Sequence, residues 1–216
     1  YIDQIVLDKN GLINNKDAVV FWNYRSDRSR QLTWCFTGEE NSHTATVQPF
    51  FVCLGPYSAK APVIFPTPII KNNLGILIAN KGLRQLRIAE TEKYAHVTYF
   101  LNSQIEKPLA NEDRILIPSP KCPSYAEKPE MSASKITKTV LPKIESQKYD
   151  FIALNFANCD LVGHSGNLKA TIKAVESIDE CLGRIVPKAI ANGYSVLITG
   201  DHGNAEYMIY EKNGEE

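Results

Sequence analysis

Two pairs of side chains carry the clearest chemistry in this sequence: Asp160 with His164, and Asp201 with His202. A carboxylate and an imidazole four residues apart share one face of a helical turn. Asp201 and His202 are adjacent, so they converge only where the backbone bends, which Gly200 and Gly203 allow. Mixed oxygen and nitrogen donors suit Mn²⁺ or Zn²⁺ better than Ca²⁺, and a two-metal site can clamp a phosphoryl group. Chance could place two of the four histidines near aspartates. That both pairs follow an apolar run makes chance the weaker account. His43 reads as solvated in a polar loop, and His96 as a structural histidine in a helical pattern.

A second set is basic. Arg25 and Arg28 follow the apolar run ending at Tyr24, where a helix is expected to start. Guanidinium forks at a helix N-terminus suit phosphate or carboxylate, although spacing alone slightly favours an ordinary solvated face with Asp27 interleaved. Lys93 follows another short apolar run and can reach the same sheet edge as Asp160 and Asp201.

These residues need elements to hold them. Apolar runs alternate with helical patterns, the signature of an α/β protein with a mostly parallel sheet. Strands are expected over 17–24, 48–54, 86–89, 114–117, 151–156 and 194–199, with 151–156 covered on both faces. Helices are expected over 25–33, 73–81 (closed by Gly82), 93–101, 132–146 (capped by Ser132) and 167–186. In the last of these Leu168, Ile172, Val175, Ile178, Leu182 and Ile185 form one apolar face, and Pro187 should kink or end it. Both Asp/His pairs then lie just past the carboxyl ends of strands, where open α/β sheets bind ligands. Three prolines within 61–68 mark a domain boundary.

Composition narrows the classes. The 216 residues are 44% hydrophobic and 22% charged, as in ordinary globular chains, and carry 24 basic against 24 acidic side chains. That balance argues against a nucleic-acid or membrane-surface binder. Cys35, Cys53, Cys122, Cys159 and Cys181 are scattered and form no CxxC pair, which reads as reduced thiols of a cytoplasmic protein. A chain that opens on Tyr1 and stops at Gly214-Glu215-Glu216 reads as a piece of a longer protein.

The sequence resembles the cofactor-independent phosphoglycerate mutases of the alkaline phosphatase superfamily. The stretches that carry the resemblance are Asn23-Tyr-Arg-Ser-Asp-Arg-Ser-Arg-Gln-Leu-Thr33, Leu86-Arg-Ile-Ala-Glu-Thr-Glu-Lys-Tyr-Ala-His-Val-Thr98, Pro118-Ser-Pro-Lys121 and Pro129-Glu-Met-Ser-Ala133. They continue through Leu154-Asn-Phe-Ala-Asn158, Asp160-Leu-Val-Gly-His-Ser-Gly-Asn-Leu168, Ile178-Asp-Glu-Cys-Leu-Gly183 and Gly200-Asp-His-Gly-Asn-Ala-Glu206. The resemblance implies a three-layer alkaline-phosphatase-like α/β domain over 69–216, incomplete here, and the end of a second α/β transferase (substrate-binding) domain over 1–68. It implies interconversion of 3-phosphoglycerate and 2-phosphoglycerate through a phosphoserine, with two Mn²⁺ ions, without 2,3-bisphosphoglycerate, in a monomeric enzyme of glycolysis and gluconeogenesis. Asp160 and His164 resemble ligands of one metal, and Asp201 and His202 ligands of the other. Arg25 and Arg28 resemble the arginines that hold the substrate's phosphate and carboxylate. Lys93 resembles the lysine that neutralises the moving phosphoryl group, with Glu92 beside it.

The resemblance also implies what is missing. The family chain is more than twice as long. Its serine nucleophile and a metal-binding aspartate lie upstream of the matched stretches, a further metal-binding histidine lies downstream of them, and much of the transferase domain has no counterpart. Each metal pair is therefore expected to be incomplete, and the piece itself inactive. A metal-dependent phosphatase or phosphodiesterase would need the metal pairs without Arg25 and Arg28. A non-catalytic binding protein would keep the fold without turnover.

Overall fold

The computed structural model describes residues 5–26, 28–39, 45–68 and 70–209; Asp27 and His43 lie outside them, as does the stop at 214–216. The chain divides into two compact units, Tyr1–Ile69 and Ile70–Glu216.

In the first unit β1 (Ala18–Phe21) and β2 (Phe50–Cys53) pair in parallel, with α1 (Ser29–Thr37) between them in sequence. Aromatic packing holds this small unit: Phe36 stacks on Phe51 at 5.1 Å, and Phe21 lies 5.7 Å from Phe51 and 6.0 Å from Tyr57. Thr33 is fully buried; its hydroxyl donates to the Ser29 carbonyl within α1 and lies 3.9 Å from the Cys53 Sγ of β2, where the helix meets the sheet. The helix starts at Ser29, so Arg25 sits in the connection before it and Arg28 at its N-cap.

The second unit is a three-layer α/β sandwich. Its parallel sheet has the order β4 (Glu112–Ile117), β3 (Gln85–Glu90), β5 (Phe151–Asn155). β3 is central and all six of its residues are buried. On one face Leu86 and Ile88 pack with Ile136, Val140 and Ile144 of α3 (Ala133–Glu145). On the other face lies α2 (Leu74–Asn80), capped by the Asn73 side chain. There Gln85 donates to the Gly75 carbonyl, and a Cβ on Gly75 would meet Leu109 at 2.7 Å and Asn102 at 2.9 Å. Only glycine lets α2 approach this closely, which offsets its helix penalty.

The structure corrects several expectations. Residues 93–101 form a single tight turn, Thr91–Lys93, and then a π-helical stretch, His96–Phe100, instead of one regular helix. β5 is half-buried along its length and not fully covered, since among the described residues it pairs with β3 alone. Ser132 does not cap α3 with its side chain; its hydroxyl donates to the Pro118 carbonyl and its amide to Glu90. The short α4 (Asn158–Gly163) precedes the long α5 (Leu168–Ala191), whose burial follows the expected apolar face only in part. α5 buries Ala170, Ala174 and Cys181, while Leu168, Ile172 and Val175 stay 40–49% exposed and Ile178, Leu182 and Ile185 are half-buried, Ile185 against the main core. Pro187 does not end α5. Ala189 is in the main core and Lys188 pairs with Glu145 at 2.7 Å, which holds the last turn against a proline cost of about 3 kcal/mol. Residues 194–199 form no strand; Val196, Leu197 and Ile198 are exposed. The five cysteines are free thiols.

The core placement is testable. Ile136→Ala should lower the unfolding free energy by about 2–5 kcal/mol through cavity formation, whereas Leu168→Ser should stay within about 0.5 kcal/mol as a surface change. Urea unfolding followed by circular dichroism measures both, and a costly Leu168→Ser would show that the predicted face is the buried one.

Candidate metal centre

Three segments meet beyond the carboxyl ends of β3 and β5. The turn Thr91–Lys93 leaves β3, the first turn of α4 leaves β5, and the bend Gly200–Asn204 follows the extended segment after α5. Lys93 is 2% exposed, and its ammonium lies 2.8 Å from Asp160 Oδ2, 3.0 Å from His202 Nε2 and 3.4 Å from Asp201 Oδ2. Asp160 Oδ1 is 3.1 Å from His164 Nε2, the contact expected from their four-residue spacing on a helical turn. His202 Nε2 stands 3.6 Å from Asp160 and 3.8 Å from Asp201.

The structure thus brings Asp160, His164, Asp201, His202 and Lys93 to one place. Arg25 and Arg28 belong to the first unit. Glu92 lies beside Lys93, where its carboxylate accepts from the Tyr125 hydroxyl at 3.1 Å and its amide donates to Ser119. That contact, the nearby carboxylates and burial push Tyr125 up to about 12, burial acting most strongly.

Several positioning residues escaped sequence reasoning. Asn204 donates to both Asp160 Oδ1 (2.7 Å) and the Asp160 carbonyl (3.0 Å), tying the bend to α4. A Cβ on Gly163 would come within 2.8 Å of Asn204, so the glycine makes room for that bond. Asn155, the last residue of β5, donates to Asp201 at 3.3 Å. Glu90, fully buried at the end of β3, accepts from the Ser132 amide, and burial raises its carboxyl pKa. The only signal for these residues was position: each lies at a strand end or within the quoted stretches.

Burial by itself would raise the Asp160 and Asp201 carboxyl pKa values. For Asp160 the hydrogen bonds from Lys93 and Asn204 outweigh it, and for Asp201 the charges of Lys93 and His202 do; both fall below their ordinary range. Among the described residues no three His, Cys, Asp or Glu side chains close on a single point. What Asp160, Asp201 and His202 share is the Lys93 ammonium. A cation already stands among these donors, and hard carboxylates with imidazole are a donor set for a divalent first-row metal. The residues fit such an ion.

Comparison with known proteins places the chain. Residues 35–211 match the Metalloenzyme superfamily. The chain belongs to that superfamily. Its residues 1–59 also match the N-terminal region of BPG-independent phosphoglycerate mutases. This superfamily member is 53% identical over 208 residues to 2,3-bisphosphoglycerate-independent phosphoglycerate mutase 1 of Methanosarcina acetivorans, covering 94% of this chain and 40% of that one. It is 48% identical to the corresponding mutase of Moorella thermoacetica over 227 residues, covering 43% of that protein. A crystal structure of Leishmania mexicana phosphoglycerate mutase at low cobalt concentration superposes on 92% of the chain with a TM-score of 0.79 at 29% identity, covering 38% of that protein. The chain spans about 40% of the length of the curated relatives it matches.

The paired charges have a pH consequence. Carboxylates whose pKa is depressed on folding add stability above their unfolded value, near 3.9, and lose it as pH falls through the folded value. The metal-free chain should therefore lose unfolding free energy as pH drops below about 4. Lys93→Met should flatten that loss and cost about 3 kcal/mol at pH 7, the low end for breaking a buried pair because Asp201 is partly exposed. Urea titrations between pH 3 and 7 measure both, and an unchanged slope in the mutant would separate Lys93 from the carboxylates.

Proposed function

We propose that the chain is the middle to C-terminal part of a 2,3-bisphosphoglycerate-independent phosphoglycerate mutase, acting in the cytoplasm on 3-phosphoglycerate and 2-phosphoglycerate. On this reading 1–68 is the end of the transferase domain and 69–216 most of the phosphatase-like domain. The observation that supports it is the meeting of Asp160, Asp201 and His202 around the buried Lys93 ammonium beyond the strand ends, with His164 against Asp160.

Asp160 and His164 would hold one Mn²⁺ and Asp201 and His202 the other. Bound there, such ions neutralise phosphoryl oxygens and lower the pKa of a bound hydroxyl. Phosphoryl transfer asks the protein mainly for positioning and charge compensation. Lys93 supplies one positive charge from a buried, preorganised position, so little reorganisation is needed as charge develops. Asn204 and Asn155 fix the two aspartates, which keeps those carboxylates aimed at one point. Glu92, held by Tyr125, stands one residue from Lys93 as a proton carrier for the substrate hydroxyls. Arg25 and Arg28 bind the phosphate and carboxylate ends, holding the dephosphorylated glycerate while it reorients. The phosphoryl group leaves one substrate oxygen for a serine elsewhere in the parent and returns to the neighbouring oxygen. Ser165 is unsuited to that role, since its hydroxyl donates to the Val162 carbonyl at 2.6 Å and accepts from the Asn167 amide. Ser195 lies outside the resembling stretches.

An enolase-coupled assay tests the reading. The intact parent should convert 3-phosphoglycerate, lose activity on chelation and recover it with Mn²⁺, while Asp201→Ala should cost at least about a hundredfold. The chain alone should show no turnover. Arg25→Lys in the parent keeps the charge but loses the bidentate fork, so mutase rate should fall as free phosphate release rises as a share of events. Parental values for both would remove Arg25 from substrate binding, and a parent without mutase activity would overturn the reading.

A further inference from the structure

β3 carries a second buried cation, and the metal centre makes no use of it. Arg87, the bulkiest of the fully buried side chains, lies on the face of the sheet covered by α2. A guanidinium is not deprotonated in a protein, so its burial calls for an anion or a full set of acceptors. Arg87 has one hydrogen bond: Nη2 donates to the neutral amide oxygen of Gln85 at 2.6 Å. The Phe151 ring, 5.0 Å from Cζ, adds a cation–π contact. Among the described residues Arg87 forms no ion pair, and its buried Nε and Nη1 have no acceptor. Its neighbours do not compensate. Arg114 stands opposite Arg87 in the parallel register, and Glu112 opposite Gln85. Glu112 is committed to other donors: Arg114 Nε, Asn102 Nδ2 at 2.7 Å and the Leu109 amide at 3.2 Å. Arg114 Nη1 donates to the Glu106 carbonyl at 2.8 Å, while its buried Nη2 has no acceptor. Two guanidinium groups on adjacent strands thus share one carboxylate, and one positive charge is left over. Asn102 Oδ1, also unmet, lies near Arg87 Nη2 beside Gly75, but a neutral amide oxygen does not cancel a charge.

We propose that a small monovalent anion of the halide class, chloride in ordinary buffers, binds between Arg87 and Arg114 and accepts from Arg87 Nη1 and Arg114 Nη2. The packing selects for size. A Cβ on Gly75 would already meet Leu109 at 2.7 Å and Asn102 at 2.9 Å, which leaves no space for a phosphate or an organic acid. Residues of this chain bury Arg87 completely, so a carboxylate side chain from another segment has no path to it. A water molecule would accept a hydrogen bond but leave the charge uncompensated. The ion is structural. It lets the central strand hold Arg87 in its middle and Lys93 on the turn just beyond its end, two buried cations six residues apart. The site is separate from the metal centre and rests on no reading of the protein's function.

Thermal unfolding at constant ionic strength, with chloride exchanged against gluconate, tests this on the chain itself. Chloride at about a hundredfold excess over its dissociation constant should raise the midpoint of the second unit by at least about 5 °C. Bromide should do the same, and gluconate, too large to enter, should not. Arg87→Met removes the charge and keeps an apolar side chain of similar length, a change that buried ion sites tolerate or gain from. The variant should unfold in gluconate no earlier than the unaltered chain and should lose the response to chloride. Crystals grown in bromide should show an anomalous peak within hydrogen-bond reach of both guanidinium groups, a reading that stands even if Arg87→Met does not fold. Equal midpoints in chloride and gluconate overturn the proposal, as does a water molecule in place of bromide between the two arginines. A chloride response that survives in Arg87→Met puts the ion elsewhere and overturns it as well.

Discussion

The second unit is organised around a buried positive charge that cannot be left unpaired. An ammonium removed from water needs anionic or hydrogen-bonding partners at close range. Lys93, on the turn after β3, finds them on two stretches of chain that are distant in sequence: the first turn of α4 and the bend at Asp201 and His202. Withdraw the ammonium and two carboxylates are left facing one another. The constraint acts in both directions, because the carboxylates are held charged by the cation and the cation is held in place by them.

The rest of the unit makes that meeting point rigid. β3 carries Lys93 because it is the central, fully buried strand, and strand ends in a packed sheet do not drift. Asn204 locks the bend to α4, Gly163 makes room for it, and Ser132 ties the start of α3 to Glu90 and Pro118. Charge is therefore concentrated where the backbone is best held, the condition for electrostatic preorganisation.

The sequence made part of this legible. Alternation of apolar runs and helical patterns located β3, β4, β5, α2 and α3 to within a few residues, because those elements have both a local signal and a tertiary partner. It failed where the two diverge. Residues 194–199 have strand composition and no adjacent strand. The apolar stripe of α5 meets the main core only toward its end, at Ile185, and nearer its start small side chains, Ala170 and Ala174, are the buried ones. Pro187 is overruled by the core contacts beyond it. In the site, Asp160 and His164 were readable from a spacing of four. That Asp201 and His202 share a sheet edge with Asp160 was readable from the strand ends, but the bend that brings them within reach was not, since it leaves no periodic trace. Asn155, Asn204 and Tyr125 act through one or two hydrogen bonds each, which no pattern of residue types announces.

The central proposal is that Asp160 with His164 and Asp201 with His202 hold divalent cations beside Lys93 at the carboxyl end of the sheet. Paramagnetic broadening by Mn²⁺ in the nuclear magnetic resonance spectrum of the labelled chain tests it most directly. Substoichiometric Mn²⁺ should broaden Lys93, Asp160, His164, His202 and Asn204 first, leave Asn111 and Glu112 at the opposite end of the sheet sharp, and lose its effect in Asp160→Asn. Broadening centred elsewhere, or spread evenly over surface carboxylates and insensitive to Asp160→Asn, would contradict it.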